Sequence, residues 1–587
     1  MKSDNCPETW IELPESQWPE SWKKLHAETG QRPVCKLLKS LYGHPLSGLF
    51  WEKHYTTALT QKAGFQKMLG WECMFYHVEL QVILSVYVDD FKMAGKQDNM
   101  SKAWKLMDKA GLKLDKPQPF GDYLGCGQAP LALTKEQAKE RLQHIDPIRI
   151  GSGGYSEPDG SADNKTNHPI RAIRYDMRGF LVQCIEKYLE LAKLAKDKLK
   201  PVATPSIDDH QISPEDFEEK GDLASCAAKI VMKILYGARF LRYDLLWPLA
   251  SVARQISKWN KASDRRLHRL VSYLNTTIEY SLESFVGDDP EKCIVLEYCD
   301  ASFADDIQES KSTSGCYLAI AGPHTFVPVT SFSKRQGAVS HSSTEAEIIS
   351  LEEAVRSEGL SVLTFWEHVV LLFGEHRRTR QSVRNKNSQS AQTSTYTSGP
   401  DSPAILQHNT APGAPTGGDR RPSAPYFPKF GDAELLREMS TLGTLRLEHV
   451  ENFYLARQYC PQVKFVVAED NEAVIKIIKK GRSAKLRHIH RTHRVDTDWL
   501  YEVFSEPSNL MRYVNTKHQI ADFNTKAITK AETWWHLLRL AQIRLPDGDP
   551  GDPGGSQANR KTTRGKTDKS TVQQQSTTTA ACVGATM

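Results

Sequence analysis

Acidic residues standing where alternating apolar segments run out are the first feature of this sequence with chemical meaning. In CIVLEYCDASFADD, which begins at Cys293, the residues Ile294, Leu296, Tyr298 and Asp300 fall on one face of an extended strand. A carboxylate therefore sits at the end of an apolar strand, with Asp305 and Asp306 close behind it. GCYLAIAG and TFVPVTSF read as two more strands, turning at Gly322-Pro323-His324. Ser343-Thr344-Glu345-Ala346-Glu347 then opens a helical pattern that continues through Leu351 and Val355. A strand-end Asp, a hairpin, and a helix with Glu in its first turn can hold metal ions between carboxylates. The same helix start has a plainer use, a capping box with Thr344 as N-cap and Glu347 at N3. Further on, Lys464, Val466 and Ala468 alternate toward Asp470, and a helix begins after Asn471. An adjacent acidic pair ends QVILSVYVDD, where Val82, Leu84, Val86 and Val88 share an apolar face. Ile83, Ser85, Tyr87 and Asp89 share the other, which predicts a hairpin displaying Asp89 and Asp90, with Phe91 to Ala94 returning. Asp-Asp is also simply a good turn former.

The elements that position these residues belong to an ordinary globular composition. The chain has 587 residues, 39% of them hydrophobic and 25% charged, enough for about three or four domains. Net charge is only +5, so attraction to nucleic acid has to come from local clusters. The 11 cysteines form no CxxC pair, which argues against a structural zinc site or a disulfide framework and for a reducing compartment. No apolar run approaches membrane-spanning length and the N-terminus shows no signal-peptide pattern, so an intracellular chain without membrane contact is expected. A helix is expected from about Ser47, then a polar loop or insertion over 130–175, a helix over 180–199 and an apolar helical stretch from Ala224 to Trp259. Leu267, Leu270, Val271, Leu274 and Ile278 share one face of a further helix, whose other face carries Arg265, Arg266, His268 and Arg269. That basic face suits a phosphate backbone or plain solvent.

After Glu347 the helix is expected to reach about Phe373, and residues 376–428 then have the composition of a disordered insertion. A helical segment is expected at 432–458. Between Glu472 and Asp496 there is no acid but there are eight basic residues: Lys476, Lys479, Lys480, Arg482, Lys485, Arg487, Arg491 and Arg494. His488, His490 and His493 lie among them, with no cysteine or carboxylate nearby at zinc-ligand spacing. This basic patch suits a nucleic-acid duplex. Residues 546–587 read as an unstructured tail.

Several motifs together resemble one family. CDASFADD, KSTSG, SKRQ and SSTEAE, in this order, resemble the ribonuclease H domain of copia-type retrotransposon Pol polyproteins. AEDNEAVI resembles that family's CDN-x-A-A-I element, and QIADFNTK its Q-x-AD-x-x-TK ending. YVDD, with VCKL-KSLYG before it and Tyr123-Leu124-Gly125 after it, resembles the family's reverse transcriptase. Arg242-Tyr243-Asp244 stands where the family usually has Arg-Pro-Asp.

The resemblance implies an α+β and α/β chain: a partial reverse-transcriptase palm over 1–130, then a helical thumb or connection with a polar insertion over 131–289. A ribonuclease H-like mixed β-sheet flanked by helices would come next, over 290–545, interrupted at 376–428, before the tail at 546–587. Asp300, Glu347, Asp470 and Asp522 would be the ribonuclease H carboxylates, holding two Mg2+ or Mn2+ ions, and Asp89 and Asp90 would serve the polymerase. His518 matches a loop histidine that helps product leave. The expected partners are an RNA–DNA hybrid and a template/primer duplex, in a cytoplasmic virus-like particle or the nucleus. Nothing in 1–33 resembles the DV-x-x-AF segment that carries the polymerase's other Asp, and the family's protease and integrase are not seen. The resemblance therefore implies a truncated palm, an inactive polymerase and an open sheet edge beside YVDD. Competing expectations are a decayed or domesticated chain that only binds nucleic acid, or a piece of a longer active polyprotein.

Overall fold

The computed structural model describes residues 8–38, 41, 43–150, 169–304, 310–374, 463–481, 486, 488–493, 495–546 and 548, and the backbone of 581–584. The expected disordered insertion at 376–428 and the helical segment at 432–458 lie outside the described residues, as do Arg482, Lys485, Arg487 and Arg494, and the side chain of Arg491. The chain forms two compact units, the first within Met1–Phe120 and Gln574–Met587, the second within Gly121–Met439 and Leu447–Gln573.

In the first unit, β1 (Trp10–Glu12) and β2 (Val34–Lys36) make a small antiparallel pair. A helix at Ser47–Thr57 leads to an antiparallel meander of β3 (Gln66–Met68), β4 (Trp71–His77), β5 (Val82–Tyr87) and β6 (Asp90–Gly95). The alternation in β5 works as physics requires: Val82, Leu84 and Val86 are buried with Phe75, Phe91 and Met93, under a helix at Gln97–Lys109. Val88 leaves that apolar face, because it sits in the two-residue turn and is exposed. The edge of β6 is not open. Ala581–Gly584 pairs antiparallel with Asp90–Met93, so four residues of the tail read as unstructured are a strand.

The second unit is built on one mixed sheet. Its strands are β7 (Gly127–Leu131), β8 (Arg171–Asp176), β9 (Ser281–Val286), β10 (Ile294–Ser302), β11 (Thr313–Gly322), β12 (Thr325–Arg335), β13 (Phe465–Glu469), β14 (Asn509–Tyr513) and β15 (Ile543–Arg544). The order is β14-β13-β10-β11-β12-β9-β8-β7, with β15 pairing β9. β10, β11 and β12 are antiparallel, while β13 and β14 run parallel to β10. β13 is buried on both faces and accordingly reads as a continuous apolar run, FVVA.

The stretch 130–175 is therefore not all loop. It contributes the end of β7, helices at Lys135–Leu142 and Asp146–Ile150, and most of β8. Its most polar part, 151–168, lies outside the described residues. The region 131–289 is helical at Arg178–Ala192, Ala227–Phe240, Leu246–Ala253 and Lys261–Thr276, yet it shares its sheet and its core with residues 290–545. Leu181, Ile234, Leu270 and Leu274 from its helices bury with Leu296, Tyr298, Tyr317, Val466 and Trp534 in one cluster. Each such side chain contributes about 1.5–3 kcal/mol by leaving water.

The basic face of the Lys261–Thr276 helix is used internally. Arg265 pairs with Asp216, Arg266 stacks over Phe217 at 5.5 Å, and Arg269 donates to the Thr204 carbonyl at 2.8 Å. These contacts strap the segment 204–218, including the short helix Pro214–Glu218, to the Lys261–Thr276 helix.

Candidate metal centre

Asp300 occupies the buried end of the central strand β10, opposite Gly315 of β11. A Cβ on Gly315 would lie 2.5 Å from Thr525 Cγ2 and 2.9 Å from Asn524 Cβ. The glycine is what lets the segment 521–525 pack down beside Asp300. On the other side comes the helix Ser343–Ala354, held close by Ser350, whose hydroxyl donates to the Asp300 carbonyl at 2.7 Å. A larger residue at 350 would push Glu347 away from the strand.

That helix starts two residues earlier than a Thr344 cap would have it. Ser342 is the N-cap and accepts from the Glu345 amide at 3.2 Å, so Glu347 is not the N3 residue of a Thr344 capping box. Freed from that task, the Glu347 carboxylate turns to Asp300 and Asp470. One ligand oxygen from each of these three lies within 4.8 Å of the others. Asp470 directly follows β13, whose parallel pairing with β10 brings the two strand ends level. Thr516 Oγ1 donates to Asp470 Oδ2 at 2.9 Å.

Asp522 stands in a 3-10 turn, Ile520–Asn524, and is not one of the close triad. It reaches the site through a lysine. Lys526 Nζ lies 2.8 Å from Asp522 Oδ1 and 3.2 Å from Asp300 Oδ1, while Thr525 Oγ1 donates to Asp300 Oδ2. A fifth carboxylate, Glu469, is fully buried next to Asp470. Its Oε1 accepts from the Asn471 amide at 3.0 Å, and its Oε2 has no hydrogen-bond partner.

Electrostatics follow from this crowding. Burial, then Asp300 and the neighbouring acids, pushes Glu347 well above the ordinary carboxylate range. Burial likewise raises Glu469 well above it, and raises Asp470 with Asp300 as the second cause. Asp522 is pushed up to about 7 by burial and by Asp300, with Lys526 pulling the other way. The donor set is all oxygen, and Glu347 Oε2 has no hydrogen-bond partner. Those residues fit a hard divalent cation such as Mg2+ or Mn2+, which would satisfy the orphaned oxygen and offset the mutual repulsion.

The surroundings hold contacts that local sequence does not disclose. Glu345, buried two residues before Glu347 on the same helix, lies 3.3 Å from His488 Nε2 and 3.2 Å from His493 Nε2. A carboxylate does meet those histidines, brought from 143 residues upstream in the chain where local spacing could not find it. Of the basic patch, Lys476, Lys479 and Lys480 are exposed on the helix Glu472–Lys480, with Lys476 paired to Glu472 at 2.7 Å. His518 stacks on His144 with ring centroids 5.9 Å apart and meets His536 edge-on at 5.6 Å.

In the first unit, Asp89 and Asp90 stand at the β5–β6 hairpin, and Val88 in the turn has φ 55°, a strained value for a β-branched residue. Asp89 is exposed; Asp90 is half-buried, and burial followed by Asp89 raises its pKa. Among the described residues, no third acidic, His or Cys side chain joins them in a metal-holding group. No described helix is long and apolar enough to cross a membrane.

Comparison with known proteins gives these motifs a context. No family model matches the chain, and no solved structure matches it. The Pol polyprotein of transposon TNT 1-94 from Nicotiana tabacum is 26% identical over 330 residues, 54% of this chain and 21% of the relative. The Ty1-GR1 Gag-Pol polyprotein of Saccharomyces cerevisiae is 23% identical over 331 residues, and the TyH3 Gag-Pol polyprotein 32% over 330. Each of these two yeast matches covers 55% of this chain and 16% of the relative, so the chain spans only a minor part of the curated relatives. Over about 55% of its length, in keeping with the copia-type character of its motifs, this chain is a homologue of retrotransposon Pol polyproteins.

Proposed function

We propose that this chain is a ribonuclease H that cleaves the RNA strand of an RNA–DNA hybrid in a metal-dependent reaction. The observation that carries the reading is the convergence of Asp300, Glu347 and Asp470 to within 4.8 Å, with Asp522 tied to Asp300 through Lys526. Two Mg2+ or Mn2+ ions, when bound, would activate the attacking water and offset charge on the leaving 3′ oxygen. The chain's own part is to hold the carboxylates in place. β10 and β13 fix Asp300 and Asp470, the Ser343–Ala354 helix presents Glu347, and Gly315 admits the turn bearing Asp522.

The exposed lysines 476, 479 and 480 follow Asp470 on one helix and would contact phosphates flanking the cut. Choice of RNA rests on the 2′-OH and groove shape of the hybrid, so little sequence preference is expected. His518 is assigned to product departure. DNA polymerisation is not part of the proposal, since Asp89 and Asp90 supply only a pair of carboxylates among the described residues.

The test uses the full chain with an end-labelled hybrid and Mg2+ or Mn2+. Cleavage confined to the RNA strand is expected, and Asp470→Asn should reduce it to background with an unchanged far-UV spectrum. If Asp470→Asn cuts as well as the parent, the carboxylates are not a catalytic centre and the chain is better read as a nucleic-acid binder.

A further inference from the structure

Lys526 closes the QIADFNTK motif without being one of its carboxylates, and its placement among them is specific. Asp300 faces carboxylates on two sides. On one it meets Glu347 and Asp470, all three with ligand oxygens within 4.8 Å. On the other it faces Asp522, and there the gap is filled by the Lys526 ammonium, 3.2 Å from Asp300 Oδ1 and 2.8 Å from Asp522 Oδ1. An ammonium bridging two carboxylates at these distances stands where a divalent ion would bind them. The carboxylates would have to draw in by only about 1 Å each to reach the roughly 2.1 Å of Mg–O bonds.

We propose that Lys526 is an internal counter-cation that occupies the second ion position and must vacate it before a second divalent ion binds. The lysine is built for this. It lies four residues after Asp522, and its amide donates to the Asp522 carbonyl at 3.1 Å, so the backbone around Asp522 is fixed while the side chain is free to turn. Its side chain keeps 38% of its surface exposed, which gives the ammonium a path into water. A lysine presents a mobile point charge on a flexible stem, and can leave without dismantling the site as a planar, multiply bonded guanidinium could not. Thr525 holds the other oxygen of Asp300 by a hydrogen bond that does not involve Lys526, so Asp300 stays oriented when the ammonium departs. In the metal-free chain the lysine offsets repulsion among the acids. In the loaded chain it competes with the weaker ion.

The inference rests on the hybrid-cleavage reading only in assuming that the centre takes two ions, so the experiment reads ion binding directly. Mn2+ titrations of the full chain, followed by the electron-spin-resonance signal of free Mn2+, should show one tight and one weak equivalent. Lys526→Met keeps the stem and removes the charge; it should tighten the second equivalent at least tenfold and leave the first within about threefold. Lys526→Arg should keep the second equivalent weak. Without metal, Lys526→Met should melt below the parent, and saturating Mn2+ should close that gap. A second equivalent that is unchanged or weaker in Lys526→Met, or a melting deficit that persists undiminished in Mn2+, overturns the proposal and leaves Lys526 a structural residue. A parent chain that takes up no Mn2+ overturns it too, and with it the metal-dependent reading. Two ions bound without hybrid cleavage would leave this inference standing and remove only the proposed activity.

Discussion

At the scale of single residues, burial decides what the acids of this centre do. A carboxylate beside other carboxylates and away from water resists ionisation, and Glu347, Glu469, Asp470 and Asp522 are all displaced upward, Asp522 to about 7. The direction fixes a testable pH dependence for the metal-free chain. Between the unfolded-state value near roughly 4 and the folded-state value of about 7, the folded chain binds more protons than the unfolded one. Stability from these groups is therefore complete below that window and lost as pH rises through it. In chelator, the melting temperature of the second unit should fall between roughly pH 4 and pH 7. With Mg2+ present the trend should flatten or invert, because the ions bind the deprotonated acids. A metal-free melting temperature that rises across this range would contradict the buried, mutually repelling arrangement.

At the scale of elements, it is clear which parts of the site local sequence could reveal. Asp300 and Asp470 each end an alternating strand, and Glu347 opens a helix, so periodicity alone locates these elements. What periodicity misses is long-range. Lys526 meets Asp300 across 226 residues and His488 meets Glu345 across 143, and neither contact leaves a local trace. Glu469 is legible as a strand residue, but its burial in the acidic cluster depends on the register of β13 beside β10. The Ser342 cap is hidden in sequence because three successive hydroxyl residues, Ser342, Ser343 and Thr344, can each cap a helix.

Arg242 and Asp244 show the same limit. The sequence marks them as a motif, and folding makes them a sealed ion pair with no exposed surface. Arg242 donates twice to Asp244, at 2.9 and 2.8 Å, and also to Thr277, while Tyr273 donates to Asp244 and accepts from Trp534. The network fastens the end of one helix to two others. Asp244→Ala should destabilise the second unit by about 3–5 kcal/mol, because it strands a buried guanidinium. The double change Arg242→Met with Asp244→Leu should cost markedly less in urea unfolding. If the double variant were the less stable of the two, the pair's charges would be contributing net stability of their own.

At the scale of the whole molecule, the two units have separate cores and separate acidic groups, and this sets how the chain answers metal. Phe75, Leu84, Phe91 and Met107 belong to one cluster; Leu274, Tyr298, Val466 and Trp534 belong to another. Chains with independent cores of this size are not expected to unfold in a single step. A ligand that binds one folded unit raises the stability of that unit alone, by about 2.7 kcal/mol at a hundred times its dissociation constant. The first unit offers Asp89, exposed, and Asp90, half-buried, at a hairpin tip, which gives a reluctant octahedral ion few fixed ligands. The second offers three converging carboxylates and a fourth held by Lys526. Calorimetry of the full chain should thus show two transitions, of which Mg2+ raises only the one that belongs to the second unit. Asp89→Asn should leave that response intact, whereas Asp470→Asn should abolish it without moving the other transition. A Mg2+ shift of the first unit's transition, removed by Asp89→Asn, would mean that the hairpin acids hold an ion after all. Polymerisation would then have to be tested beside hybrid cleavage.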